Sequence, residues 1–360
     1  EPRGFRPGGL GGLSGCRHLG LLALDPLEDR APEVTDRGIT DQGMTDQGMT
    51  DQGMTEEGMD PQEAAAEKIS LLHTLRGAFS LFLFAINTIF WTFPLVFIHL
   101  IKLMIPTKGW RRFWGGVQNG IGFLWISFNN LNLKVVNPVR LDVSLPEGLS
   151  QDDWYMVVAN HQSWVDIIVL QMIFNGKIPF LKFFLKKQLF WFPFLGLAWW
   201  SLDFPFLERS RNATKDLETI GEAAEKFKLL PVSIMNFVEG TRFRPEKREK
   251  QSSPYRHLLK PKAGGLTFLL TAMGGQVPWI LDVSIAYPRG IPSYWSFLCG
   301  EVEEIRVRVG KVPVGEDLLG DFTKDKPFRR AFTNWLNGLW EEKDGVMRQM
   351  LKSRAPATRD

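Results

Sequence analysis

Residues 78–101 form 24 consecutive positions without a formal charge, AFSLFLFAINTIFWTFPLVFIHLI. At a rise of ~1.5 Å per residue a straight helix of that length spans roughly 36 Å, enough to cross a ~30 Å hydrocarbon core. Pro94 and the polar Asn87 offer a second arrangement, in which the run breaks into a re-entrant or interfacial hairpin, and a core helix of a soluble fold is a third. Lys68 and Arg76 flank the run on one side; Lys102, Lys108, Arg111 and Arg112 flank it on the other. The positive-inside bias then places the chain beyond residue 101 on the cytoplasmic side of a membrane.

From about residue 133 the pattern changes to short β-rich runs alternating with helical stretches. Strands are expected at 133–136, 154–159, 232–238, 279–287 and 305–309, and helices at 165–174, 213–229, 266–273 and 327–350. In the last strand Ile305, Val307 and Val309 alternate with Arg306 and Arg308, the mark of one wet face. The order predicts an α/β fold, a central mixed sheet flanked by helices and preceded by a hydrophobic N-terminal anchor. Between these elements, residues 178–200 combine Phe, Leu and Trp with Lys182, Lys186 and Lys187, and Lys177 precedes them. An aromatic face with a lysine rim suits a headgroup boundary, where ammonium groups snorkel to phosphates; a buried helix with its lysines in water is the plainer alternative.

Residues 1–62 lack both periodicities. The pentad Thr40-Asp41-Gln42-Gly43-Met44 recurs at 45–49 and 50–54 and again, degenerately, at 55–59. Such a repeat predicts a disordered tail. Because the chain begins with Glu1, a native tail and a gene-boundary artefact both stay open, and no signal peptide is visible in it. The expected organisation is therefore a tail at 1–62, an anchor region at 63–115, a catalytic domain at 116–352 and a flexible C-terminus at 353–360.

Composition sharpens this. The chain has 27 Phe and 13 Trp against 4 Tyr, a bias toward surfaces that meet lipid. Two cysteines, Cys16 and Cys299, exclude a structural zinc site and a disulfide framework and favour a reducing compartment. The net charge of +3 divides into −7 for residues 1–62 and +10 for the rest. A basic, Phe-rich body fits an anionic membrane face, an anionic substrate or nucleic acid, and composition does not choose among them.

Of five histidines, His161 is placed for chemistry. It follows the expected strand at 154–159 in Asn160-His161-Gln162-Ser163-Trp164-Val165-Asp166, where a helix begins. On a regular helix a spacing of five separates His161 and Asp166 by roughly 140°, so they meet only if the segment turns. If they do, Asp166 fixes the imidazole tautomer and raises its basicity, as a general base requires; a structural His–Asp pair is the alternative. A second cluster, Phe237-Val238-Glu239-Gly240-Thr241-Arg242, ends another strand. Gly240 permits a tight turn, Arg242 and Thr241 can grip a phosphate, and Glu239 can orient a hydroxyl. A surface turn with a Glu–Arg ion pair would read the same way. Arg209, in Phe206-Leu207-Glu208-Arg209-Ser210, follows a third apolar run.

Together and in this order the blocks resemble the glycerolipid acyltransferases, the family that includes 1-acyl-sn-glycerol-3-phosphate acyltransferase. That family carries His-x4-Asp, then an Arg after an apolar run, then Glu-Gly-Thr/Ser-Arg, then an apolar stretch around a Pro, matched here by Val277-Pro278. The likeness covers about residues 75–350 and is nearest to a bacterial inner-membrane branch of lysophosphatidate and lysocardiolipin-type enzymes. It departs at Lys186-Lys187-Gln188-Leu189, where the family often has Lys-x-Glu-Leu. The resemblance implies transfer of an acyl chain from acyl-CoA or acyl carrier protein to the hydroxyl of a lysophospholipid, with 1-acylglycerol-3-phosphate giving phosphatidic acid. His161, held by Asp166, would take the acceptor proton; Ser163 would cap the turn, and backbone N–H groups at the helix start would meet the oxyanion. Arg209 and Arg242 would hold the phosphate, with Glu239 and Thr241 orienting the glycerol and Gly240 making the turn. The resemblance implies no metal, no cofactor and a membrane location with the catalytic domain in the cytoplasm. A nucleic-acid partner is not expected, because the basic residues mix with Phe and Trp beside an apolar anchor and no nucleic-acid motif appears. A remodelling enzyme acting on lysophosphatidylglycerol, lysocardiolipin or lysophosphatidylinositol is the alternative reading; a non-catalytic membrane-binding protein is another.

Overall fold

The computed structural model describes residues 61–208 and 213–352. The expectations for the tail, apart from its last two residues, and for Arg209 and the residues after 352 therefore lie outside the described residues. The apolar run is not broken: it lies within one helix, α1 (Pro61–Met104), which continues through Pro94. Pro106 then disfavours the helical conformation at the preceding residue, and α2 (Lys108–Val136) starts after an extended Thr107. Within α1, Leu71–Met104 is long and apolar enough to cross a membrane, and Phe82, Phe90, Phe93, Phe97 and Met104 are exposed along it.

Several polar residues of α1 face α2, while Thr92 and His99 face α4 (Leu195–Ser201). The Asn87 side-chain amide donates to Asn129 Oδ1 at 2.8 Å and to the Trp125 carbonyl at 2.9 Å. Asn132 donates to the Ser80 carbonyl at 3.1 Å, and the Arg76 guanidinium reaches the Val136 carbonyl. Asn87 is thus an interhelical contact rather than a break. Residues 133–136, expected as a strand, are instead the last turn of α2. Four apolar-rich residues fit either period, and here Leu133 packs in the core while the Asn137 N–H closes the helix on the Leu133 carbonyl.

The sheet has six strands: β1 (Arg140–Ser144), β2 (Tyr155–Ala159), β3 (Leu181–Phe183), β6 (Ser233–Asn236), β7 (Trp279–Ala286) and β8 (Glu304–Pro313), in the spatial order β1-β8-β7-β2-β6-β3. All neighbours are parallel except β7 and β8, so the sheet is mixed. A second, two-stranded sheet joins β4 (Leu185–Lys186) and β5 (Phe206–Leu207). Alternation divides the core in two. Tyr155, Val157 and Ala159 of β2 pack with α1, α2, α3 (Val165–Phe174), α4 (Leu195–Ser201) and α8 (Tyr294–Leu298). Met156 and Val158 pack with α5 (Ala213–Phe227), α7 (Ala263–Met273) and α9 (Lys326–Lys352), α6 (Pro245–Lys250) lying outside both.

Two further expectations are corrected. Residues 178–200 are not one helix but β3, β4, a 3₁₀ turn over Lys187–Trp191 and α4. Lys177 and Lys187 are exposed, as a rim would be, but Lys182 is buried, because β3 pairs with β6 and is covered by α5. Trp191 and Phe192 do stand in solvent. Gly196 fits where nothing larger can: a Cβ there would lie 1.9 Å from the Phe190 carbonyl oxygen. In β8 the wet face is incomplete, because Arg306 is buried beneath α9 and pairs with Glu304 at 2.9 Å.

Helix α9 is fastened to the sheet by a charge. Lys343, fully buried, pairs with Asp282 at 2.7 Å and donates to the Val283 carbonyl at 2.6 Å. Removing one member of such a pair leaves the other uncompensated, which costs about 3–5 kcal/mol. Lys343→Ala is accordingly expected to lower the unfolding free energy, measured in detergent, by an amount in that range; a loss near zero would show that the pair does not hold α9.

Candidate active site

The carboxyl end of β2 is pinned to β7 before the chain turns. The Asn160 side chain imitates a strand, donating to the Ile285 carbonyl at 2.9 Å and accepting the Ile285 N–H at 2.8 Å. The next residue, His161, sits in the turn rather than on the helix, which removes the angular objection to its pairing with Asp166. Its Nδ1 lies 2.8 Å from Asp166 Oδ2 in the first turn of α3. The same oxygen accepts the N–H groups of Gln162 at 2.6 Å and Ser163 at 2.9 Å. Asp166 is fully buried, so its ionised form depends on these donors.

With Nδ1–H given to the carboxylate, the Nε2 lone pair is what the ring presents. That atom is buried and has no hydrogen-bond partner among the described residues. The imidazole stacks on Phe237, with centroids 3.9 Å apart and planes 16° from parallel, so its orientation is fixed from both the edge and the face. Ser163 Oγ accepts the Val165 N–H at 3.2 Å and donates to the Pro292 carbonyl at 2.6 Å, a capping hydroxyl tied to the loop before α8. The N–H groups expected to meet an oxyanion are engaged here: Gln162 and Ser163 by Asp166, Val165 by Ser163 Oγ, and Asp166 by the Ser163 carbonyl.

Tyr287 was not among the expected site residues. It follows β7 directly, and its hydroxyl donates to Asp166 Oδ1. Burial, then the charge of Asp166 and this hydrogen bond, push the phenol well above its ordinary range, so it remains a donor at any working pH. The signal was available: one of only four tyrosines in the chain ends a strand whose neighbour carries the histidine.

Glu239, Gly240, Thr241 and Arg242 form the turn that leaves β6, the strand beside β2. Gly240 has φ +72°, a left-handed conformation that favours glycine, and a Cβ there would press on the Lys262 side chain, 3.0 Å from its Nζ. Thr241 Oγ1 accepts from Lys247 Nζ at 2.8 Å. The Arg242 guanidinium lies 5.3 Å from the centre of the Trp164 ring, and the Phe243 N–H donates to the His161 carbonyl at 2.7 Å. These contacts bring the His161–Asp166 turn and the 239–242 turn together. Glu239 itself is fully buried, and the backbone N–H groups of Leu259 and His161 face its carboxyl without close hydrogen-bond geometry. Burial raises its carboxyl well above the ordinary 4.5; Lys343 opposes this and Asp166 reinforces it.

Residues 140–286 match the family model described as Acyltransferase. An uncharacterised acyltransferase of Saccharomyces cerevisiae is 24% identical over 270 residues, covering 61% of this chain and 64% of the relative. The 1-acyl-sn-glycerol-3-phosphate acyltransferase gamma of Mus musculus is 26% identical over 213 residues, covering 55% and 54%. The chain thus spans about half to two thirds of the length of these curated relatives. Among solved structures, the 1-acyl-sn-glycerophosphate acyltransferase of Thermotoga maritima aligns over 80% of this chain and 100% of its own, with a TM-score of 0.49 and 19% identity.

Glu239 yields a pH prediction. An acid whose native pKa exceeds its unfolded value binds more protons when folded, so stability falls as pH rises from about 4.5 toward the native value. Glu239→Gln keeps the shape and cannot ionise. Its unfolding free energy, measured against pH, should lack that decline. Identical profiles for the two proteins would mean that Glu239 is not held protonated.

Proposed function

We infer, from a chain whose residues 140–286 are an acyltransferase-family domain, that the protein transfers a fatty acyl group from a thioester donor to the free hydroxyl of a lysophospholipid. The observation that carries this is the buried imidazole with Nδ1 on Asp166 and Nε2 without a hydrogen-bond partner among the described residues, stacked beside the turn that bears Glu239 and Arg242. His161 Nε2 accepts the proton of the acceptor hydroxyl as its oxygen attacks the thioester carbonyl, and the imidazolium that forms is stabilised by Asp166. Collapse of the tetrahedral intermediate breaks the C–S bond, and the leaving thiolate takes the proton back from Nε2. No protein nucleophile is needed, because a thioester is already activated.

Arg242, with Arg209, holds the acceptor phosphate through charge-assisted hydrogen bonds. Glu239, kept protonated by burial, can donate to a glycerol oxygen, and Thr241 completes the orientation. The acceptor that best fits these groups is 1-acylglycerol-3-phosphate, giving phosphatidic acid, with acyl-CoA or acyl carrier protein as donor. Nothing in this chemistry calls for a metal or a further cofactor. The apolar, exposed length of α1 supports a membrane location, and the basic residues that come after it support a cytoplasmic reaction domain. In this reading residues 63–115 anchor the chain and residues 116–352 carry the reaction, with α2 continuous across that boundary.

His161→Ala is expected to lower acyl transfer by about 10²–10⁴-fold without changing expression or membrane association. Asp166→Asn should lose a large part of the same rate. The assay is radiolabelled acyl-CoA with a panel of lysophospholipids and detergent-purified protein; retention of more than about a tenth of the rate by the His161 variant would refute its role as base. In membranes, the protein should resist extraction by alkaline carbonate. Burying ten large apolar side chains of α1 at roughly 1.5–3 kcal/mol each gives on the order of 15–30 kcal/mol, beyond what surface charge supplies. Release of the protein by carbonate would refute the anchor.

A further inference from the structure

The carboxyl end of α1, the start of α2, β3, the segment after α4, and α5 enclose a cavity of about 410 Å³. Neither His161, Asp166 nor any residue of the 239–242 turn lines it. Four cationic side chains do, Lys102, Arg111, Lys182 and Lys226, against two carboxylates, Asp203 and Glu222. One of the carboxylates is already used: Asp203, in a left-handed backbone conformation at φ +57°, pairs with Lys102, which also donates to Gln118 Oε1 at 2.8 Å. Glu222 and Lys226 are exposed at the mouth.

Lys182 is the anomaly. It is only 8% exposed, yet among the described residues its ammonium has neither a hydrogen-bond nor an ion-pair partner and lies over the Phe227 ring, 5.6 Å from the centroid. A buried ammonium that makes no hydrogen bond is costly, and the charge of Asp203, shared with Lys102, offsets only part of that cost. Burial pulls its pKa down to about 8 although Asp203 favours the charged form. An anion in the cavity would supply the hydrogen bonds that the fold withholds.

We propose that this cavity binds a phosphate group, carried by a lipid headgroup or free in solution, with Lys182 and Arg111 on its walls and Lys226 at its mouth. Phosphate suits the site because several donors of one sign converge on it, and a guanidinium and ammonium groups together match its tetrahedral oxygens. The surroundings suit a lipid source: Leu103 lines the cavity, and Met104 and Ile105 stand exposed beside it at the end of the apolar helix. The site is separate from the 239–242 turn and does not depend on the acyl-transfer reading.

The test is equilibrium binding of radiolabelled inorganic phosphate to the full chain in maltoside micelles. Saturable binding is expected, weakened at least about tenfold by Lys182→Met and by Arg111→Gln. Should Lys182→Met fail to fold, Arg111→Gln and Lys226→Gln at the rim carry the same expectation. Repeating the titration in nanodiscs of phosphatidylcholine, with and without phosphatidic acid, separates the sources. Exclusion of free phosphate only when phosphatidic acid is present assigns the site to a headgroup; undiminished binding assigns it to free phosphate. The proposal is overturned if no saturable binding occurs, if Lys182 and Arg111 variants bind as wild type, or if Arg242→Ala alone abolishes binding.

Discussion

A carboxylate shut away from water must be surrounded by donors, and Asp166 shows how much structure that requirement organises. Its two oxygens take the His161 ring, the N–H groups of Gln162 and Ser163, and the Tyr287 hydroxyl. Hydrogen bonds to a charged group are worth about 1.5–3 kcal/mol each, and a buried charge without them costs several kcal/mol. The turn after β2 therefore has one conformation in which Asp166 is tolerable. That conformation fixes the imidazole and draws the end of β7 toward it. The 239–242 turn joins the same assembly through the Phe243 N–H and the Arg242–Trp164 contact.

The long apolar helix is part of this assembly rather than an appendage. Leu95 of α1 and Trp125 and Leu133 of α2 belong to the same buried cluster as Val157 and Ala159 of β2. The Asn87 and Asn132 bonds fix how the two helices lie against each other. A helix with one face in the domain core and the other face apolar and bare fixes the domain's orientation to whatever covers that bare face.

The elements legible in sequence were those whose pattern had one physical explanation. Short β-rich runs marked β2, β6 and β7, alternation marked β8, and the edges of α3 and α9 fell within a residue or two of expectation. The meeting of His161 with Asp166 could be stated as a condition, because only a turn satisfies it. What escaped depended on the third dimension. Residues 133–136 carry a strand composition, but the helix before them simply continues. Lys182 looked like a rim lysine until β3 took its place at the sheet's end under α5. Tyr287 lies 121 residues from its partner Asp166, and only the neighbouring positions of β2 and β7 bring the two together.

The spatial order of the strands also sets an order in time. In the sheet, β2 lies between β6 and β7, and β1 finds its partner only in β8, with Arg140 opposite Glu304. A chain emerging from a ribosome can close the α1–α2 hairpin from contacts near in sequence. The sheet must wait longer. Its strand β2 has no neighbour until β6 ends at Asn236, and β1 has none until β8 ends at Pro313. Among the described elements the apolar hairpin is therefore the first to need a partner, and a bilayer that receives it early would hold the unfinished sheet at the surface while the remaining strands are synthesised.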